Sequence, residues 1–231
     1  MVISIQMPYF IPYPGYFLPI MGSDIFVILD WVQFPQGRSW VSRNLVKTSQ
    51  GKLWLSVPVK RKGLGLQDIR DVKILKEGNW QKKFISTIET AYFNAPYLND
   101  HIDFLKETFL NVPDLLVDLN VILLKYLLSQ FGIKSELIHQ SHLGIKVKEP
   151  QLSLLIAKEL GANALTCLSN KRKYLDESAF EREGIEVSYL RYEPVIYPQL
   201  WGEFIPNLSC LDLLLNCGPR SKEVLGRRLR A

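Results

Sequence analysis

The chain contains no uninterrupted apolar run of about 18 residues, so no transmembrane helix is expected. It shows no secretory leader either. Met1-Val2-Ile3-Ser4-Ile5 carries no basic residue, and Pro8 cuts off any apolar stretch that would follow. Cysteine is scarce, at three residues, and none forms a Cys-x-x-Cys pair. Cys167 and Cys210 lie in apolar runs, which predicts reduced structural thiols and a cytoplasmic protein. Histidine is equally rare. His139-x-x-His142 has no carboxylate or cysteine pattern around it, so no metal site is expected. Gly-x-Ser-x-Gly, Walker and Gly-x-Gly-x-x-Gly patterns are all missing. The pattern names no cofactor and fixes no oligomeric state.

What is present describes an ordinary globular chain of 231 residues, 47% hydrophobic, with a mean hydropathy of +0.03. Its length suits a single domain spanning 1–231, with a helical segment at about 79–132. The net charge is +5 and the pI about 9.0. Lys60-Arg61-Lys62, Lys171-Arg172-Lys173 and the tail Arg227, Arg228 and Arg230 read as solvated loops and a tail. This modest excess fits a phosphate-bearing small molecule. It weighs against nucleic acid, whose binders cluster charge on one face.

Along the chain, Val2–Gln6 reads as a buried strand, and the Pro-rich loop Met7–Pro14 follows it. Tyr16–Met21 reads as a helix and Asp24–Asp30 as a second strand, giving a short βαβ unit and hence a parallel sheet. Residues 31–50 read as a polar, aromatic loop, and Leu53–Pro58 and Ile69–Ile74 as strands. Asn79–Tyr92, Leu98–Thr108 and Pro113–Phe131 carry helical periodicity, with Gly132 as a C-terminal cap. An αβα rhythm follows: helix Glu149–Leu160, strand Ala164–Leu168, helix Lys173–Arg182, strand Ile185–Tyr192 and helix Leu208–Leu215. The fold class predicted is α/β, a parallel Rossmann-like sheet of nucleotidylyl-transferase type with a helical insert.

The loop after the first strand is the first candidate site, because α/β sheets bind ligands beyond the carboxyl ends of their strands. Tyr9 and Tyr13 can contact a ligand there, and Gly15 allows close backbone approach. The amides of the helix behind it favour an anion. Tyr13-x-Gly15-Tyr16 has the spacing of the His-x-Gly-His element of nucleotidylyl transferases; alternatively these residues only rigidify a turn. Asp30 is expected either as a base at a strand end or as a turn cap. Arg43 with Asn44 offers a fork and an amide for phosphate or carboxylate, or forms an internal ion pair. Gln33, Phe34 and Trp40 suggest a sugar platform or an interloop cluster. Ser169 and Lys171, after strand Ala164–Leu168, suggest a second anion site or a surface cap. Asp212, set among apolar residues, needs a partner if buried, and Arg43 is a candidate.

The segment 7–17 resembles the N-terminal signature of the WbqC-like family, Gln-Pro-x-Tyr/Phe-x-Pro-x-x-Gly-Tyr-Phe. Further similarities are Ile25–Phe34, Trp40-Val41-Ser42-Arg43-Asn44, Leu55-Ser56-Val57-Pro58-Val59, Tyr197-x-Gln199 and Leu208-Ser209-x-x-Asp212-Leu213-Leu214-x-Asn216-x-Gly218. Three positions depart from the pattern: Met7 replaces the leading Gln, Trp31 the second of two Asp, and Asn170 a Gly. The resemblance implies a bacterial protein associated with surface-polysaccharide (O-antigen) gene clusters. It also implies a transferase that modifies a nucleotide-linked amino sugar, or a related small molecule, by acyl or aminoacyl transfer. The alternatives are a non-catalytic binding or scaffold protein of polysaccharide assembly and, last, an RNA-binding protein. On this reading Asp30, Arg43 and Tyr16 are catalytic, while Tyr9, Tyr13, Gly15, Gln33, Phe34, Trp40, Asn44, Ser169 and Lys171 bind substrate.

Overall fold

Short apolar runs that must be buried on both faces are satisfied by a parallel sheet with helices on each side. The computed structural model describes residues 1–226, so the tail arginines fall outside the described residues. The strands are β1 (Val2–Gln6), β2 (Ile25–Ile28), β3 (Arg43–Thr48), β4 (Gly51–Ser56), β5 (Glu136–His139), β6 (Ala164–Leu168) and β7 (Glu186–Leu190). The helices are α1 (Leu18–Met21), α2 (Trp80–Ala91), α3 (Leu98–Leu110), α4 (Leu116–Phe131), α5 (Gln151–Glu159), α6 (Glu177–Arg182), α7 (Cys210–Cys217) and α8 (Ser221–Gly226). Five strands form one parallel sheet in the order β5-β2-β1-β6-β7, and β3 and β4 form a separate antiparallel hairpin.

Side chains alternate across the sheet and feed two cores. Ile3, Ile5, Val27, Leu29 and Leu165 pack against Leu152 and Ile156 of α5 and Phe180 of α6. Phe26 and Ile28 pack into a larger core with the helical block α2–α4 and with α7. The architecture is therefore α/β and Rossmann-like, with the helical block following the hairpin. The order of strands reverses between β1 and β6, and such a reversal opens a crevice at the carboxyl ends.

The structure departs from sequence expectation where polarity or proline misleads. The region 31–50 contains β3, whose alternation buries Asn44 and Val46 while Arg43 and Leu45 stay partly exposed. Its buried polar residue hides the period-2 signal. β5 lies in a stretch that the sequence reads as a linker. Ile69–Asp71 is a 3-10 turn, not a strand. Pro14–Phe17 is also a 3-10 turn, leaving only Leu18–Met21 helical, because Pro14 and Pro19 each fit only a first turn. Helix α6 begins at Glu177, where the Asp176 carboxylate accepts from Ala179 N at 3.2 Å.

The loop after β1 is buried although it is irregular. Buried backbone carbonyls need donors, and here they come from distant side chains. Asn120 Nδ2 donates to Pro8 O at 2.8 Å, and Asn44 Nδ2 donates to Phe10 O and Ile11 O at 3.1 and 2.7 Å. The Tyr16 hydroxyl donates to Met7 O at 3.0 Å, and Cys210 N to Pro12 O at 2.7 Å. Pro8, Pro12 and Pro14 bring no N–H, which reduces the donors to be satisfied. Ile11 sits at φ 39°, a costly conformation for a β-branched residue, and the Asn44 bond holds its carbonyl. Asn44→Ala removes both donors at once. It is expected to destabilise the protein by about 2–4 kcal/mol, measured as a lower urea midpoint with an unchanged m-value.

Candidate functional site

A cavity of about 730 Å³ lies at the carboxyl ends of β1, β2 and β6, where the strand order reverses. Its floor is apolar. Ile5 and Met7 come from β1 and its end, Leu29 follows β2, Leu165 belongs to β6, and Leu152 opens α5. Trp31, Val32, Gln33, Leu66 and Asp68 form one wall. The opposite side carries Cys167, Lys171, Tyr174 and Leu175, and the loop Lys146–Glu149 closes the third side.

Charge at this rim is mixed but weighted to cations. Lys146 Nζ bonds Asp68 Oδ2 at 2.6 Å and lies 5.3 Å from the centre of the Trp31 ring, over which Arg70 also stacks at 4.4 Å. Glu149 is committed to the start of α5, where it accepts from Ser153 N at 3.2 Å and Ser153 Oγ at 2.5 Å. No ion pair holds Lys148 or Lys171 among the described residues. Burial pushes the Cys167 thiol up to about 11, so it stays protonated at neutral pH. The cavity thus offers an apolar bed and ammonium groups, without an activated thiolate. No group of three or more His, Cys, Asp or Glu among the described residues is placed to hold a metal ion.

Asp30 follows the end of β2 and stands behind one wall of the cavity. Its side chain is only 3% exposed. It accepts from His139 Nδ1 at 3.0 Å, Ser141 N at 2.9 Å and Ser141 Oγ at 2.6 Å. Burial alone would raise the Asp30 carboxyl, but these bonds outweigh it and its pKa falls below the usual carboxylate value. Next to it, Trp31 N donates to Gln140 Oε1, and Gln140 Nε2 donates to Ile145 O. Asp30 and Gln140 therefore anchor the segment that leads into Lys146–Glu149.

The structure brings some of the sequence-predicted site residues together and separates others. Gln33 and Lys171 line the cavity. Tyr9 lies near Tyr174 of its wall, and burial followed by that neighbour raises its pKa. Ser169 is exposed at the end of β6. Tyr16 is fully buried with its hydroxyl on Met7 O, and Asn44 is spent on the loop carbonyls. Gly15 is packed under Tyr192, where an added Cβ would come within 2.5 Å of that ring. The Tyr13 ring meets Tyr192 edge-on at 5.5 Å. Phe34 is buried beneath the Arg61 guanidinium. Arg43 opens the hairpin and covers Trp54 at 3.9 Å, and Trp40, in the turn before it, meets Trp54 at 5.3 Å. Tyr16, Asp30 and Arg43 thus serve three separate sets of partners.

Asp212 is fully buried, and its partners are Tyr92 and Tyr197, each hydroxyl donating at 2.8 Å; Arg43, the partner expected for it, is engaged with Trp54. Lys146, Lys148, Cys167 and Tyr174 escape a reading of the sequence. The signal for them was positional: residues just past strands whose ends meet at a reversal of order. That signal needs β5 to be recognised first, since it starts the loop that carries the lysines.

A family model described as the WbqC-like protein family matches residues 7–224. The chain belongs to the WbqC-like family. It is 31% identical over 225 residues to the uncharacterized protein Rv1507c of Mycobacterium tuberculosis (strain ATCC 25618 / H37Rv), covering 96% of each chain. No solved structure matches it. Several residues that carry the WbqC-like resemblance, Tyr16, Asn44, Tyr197 and Asp212, are internal hydrogen-bonding groups of the scaffold. Among the described residues no helix is long and apolar enough to cross a membrane.

Two outcomes follow from these contacts. Asp30→Asn is expected to lose about 2 kcal/mol of stability at neutral pH. A depressed folded pKa gives stability that is complete above the ordinary carboxylate value of 3.8 and is lost as pH falls through the folded value, so the gap between the two proteins closes below that pH. Denaturant titrations from pH 7 to pH 3 measure it. Gly15→Ala is expected to cost about 1–3 kcal/mol through overpacking against the Tyr192 and Tyr13 rings, and Tyr192→Ala in the same chain should recover only part of that loss, since the Tyr13 contact remains; urea denaturation measures both.

Proposed function

We propose that the protein is a group-transfer enzyme that takes a nucleotide-linked amino sugar, or a related phosphorylated small molecule, in the crevice between β1 and β6. The association with surface-polysaccharide genes that the WbqC-like resemblance implies supports reading such a substrate as part of bacterial polysaccharide synthesis, with acyl or aminoacyl transfer as the reaction. One observation carries the reading: a cavity of about 730 Å³ at the reversal of strand order, with an apolar floor and Lys148 and Lys171 on its rim. Ligand sites of this size are mostly apolar with a few placed polar groups. The lysines meet phosphate as point charges, while Trp31 and Tyr174 flank a ring. Gln33 supplies an amide, and Asp30 acts by fixing the cavity wall. Catalysis is then positioning and charge stabilisation, since the thiol in the cavity is held neutral.

The same neutral thiol also suits the second reading, a binding or scaffold protein of polysaccharide assembly that turns nothing over. The two separate experimentally. A saturating nucleotide-linked amino sugar such as UDP-N-acetylglucosamine, at about 100 times its Kd, adds about 2.7 kcal/mol to stability and raises the melting temperature by several degrees. Lys148→Ala with Lys171→Ala is expected to remove most of that shift. A panel of nucleotide sugars that leaves the melting temperature unchanged rejects the substrate class. Stabilisation without transfer from any acyl or aminoacyl donor selects the scaffold.

A further inference from the structure

Charge is not spread evenly along this chain. The 37 residues between Asp30 and Asp68 contain no carboxylate and carry seven cations. Taking those seven from the chain's 28 Lys and Arg leaves 21 against 23 Asp and Glu, so this stretch accounts for the entire positive excess. Lys47 is buried under Gln199 and Glu203, and the other six reach the surface. They also converge. Arg61 donates to Pro35 O and Gln36 O, which ties the Lys60–Lys62 loop to the loop carrying Arg38. Arg38 lies close enough to Arg43 that, after desolvation, its charge lowers the Arg43 pKa. Neither guanidinium forms an ion pair among the described residues.

Beside these arginines stand two unusually exposed tryptophans, Trp40 at 37% and Trp54 at 40%, tilted by 53° at 5.3 Å. An exposed, unpaired cluster of one sign fits an anionic partner. Single-stranded nucleic acid would stack its bases on open aromatic faces. Here one of the two indoles is already engaged: Arg43 covers Trp54 at 3.9 Å and Trp40 leans against Trp54 at 53°, so the pair offers no run of open platforms for successive bases. What remains open are guanidinium N–H forks and the exposed part of the Trp40 ring. Guanidinium forks match carboxylates two bonds at a time, and the electron-rich face of an indole accepts the C–H surface of a pyranose.

We infer that the surface formed by the β3–β4 hairpin and the loop preceding it, built from Arg38, Trp40, Arg43 and Trp54, binds an acidic oligosaccharide through its carboxylates. This face shares no residue with the cavity between β1 and β6, so it stands whether or not that cavity performs transfer. The test is calorimetric titration of the full chain with an octamer of galacturonic acid, using maltooctaose and an octamer of uridylate as comparators. The uronate is expected to bind with an affinity that falls as salt rises, and Arg38→Gln with Arg43→Gln to weaken it at least about tenfold. Lys148→Ala with Lys171→Ala leaves it unchanged. Absence of uronate binding, equal binding of maltooctaose, tighter binding of uridylate, or full affinity in a folded Arg38→Gln, Arg43→Gln protein each overturn the inference. Far-ultraviolet circular dichroism confirms folding of the variant, and Arg38→Gln alone, made at an exposed position, is the second variant if the pair fails to fold.

Discussion

An irregular backbone segment buried in the core has carbonyls that must find donors, and this requirement organises the protein. Residues 7–13 run through the interior without helix or strand to pair them. Six of their oxygens are met one by one, by the Tyr16 hydroxyl, the amides of Asn120 and Asn44, and the backbone N–H groups of Cys210 and Tyr16. These donors sit on α4, on β3 and at the start of α7, so one loop ties the sheet to the helical block and the hairpin. An unpaired buried carbonyl costs on the order of 1–3 kcal/mol, and several would approach the whole stability of a domain this size.

A second buried network repeats that logic beneath the long segment between β7 and α7. Asp212 takes the hydroxyls of Tyr92 and Tyr197, while Asn216 Nδ2 donates to the Asp212 backbone carbonyl. Burial raises the Asp212 carboxyl, and the two tyrosine bonds only partly offset it. Lys47, equally buried, donates to Gln199 Oε1 and Glu203 O. Gln199 in turn accepts from Ile205 N at 2.9 Å. The segment crosses the turn at Gly15, where Tyr192 fills the space that a side chain would need. Polar residues in the interior thus fix the irregular parts of the chain, and apolar ones fill the regular parts.

The division explains what could be read from the sequence. β1, β6 and α4 show themselves because their burial follows a simple period, and Ala164–Leu168 and the Gly132 cap stand where the pattern puts them. β3 stays hidden because its core-facing positions include Asn44, a residue that a hydrophobicity pattern assigns to the surface. β5 stays hidden because its four residues include Glu136 and His139. Family resemblance marks Tyr16, Asn44 and Asp212 strongly. Nothing in a sequence tells a residue that holds a loop from one that holds a ligand, because both need the same polar atoms. Distances separate the two, and at these positions they place the polar atoms on the protein's own backbone and side chains.

The cavity follows from that arrangement. Its floor is dictated by the sheet, since any parallel order that reverses at β1 and β6 leaves room above Ile5 and Leu165. Its charge is set by loops, in particular Lys146–Glu149 and Lys171. The first of these hangs from Asp30 through His139 and Ser141 and from the Trp31 backbone through Gln140, and Glu149 is pinned to α5 through Ser153. A carboxylate saturated by three donors is poorly suited to take a proton from a substrate and well suited to hold a wall in place. The sheet therefore sets where the cavity lies, and Asp30 sets where the loop carrying Lys146 and Lys148 stands on its rim.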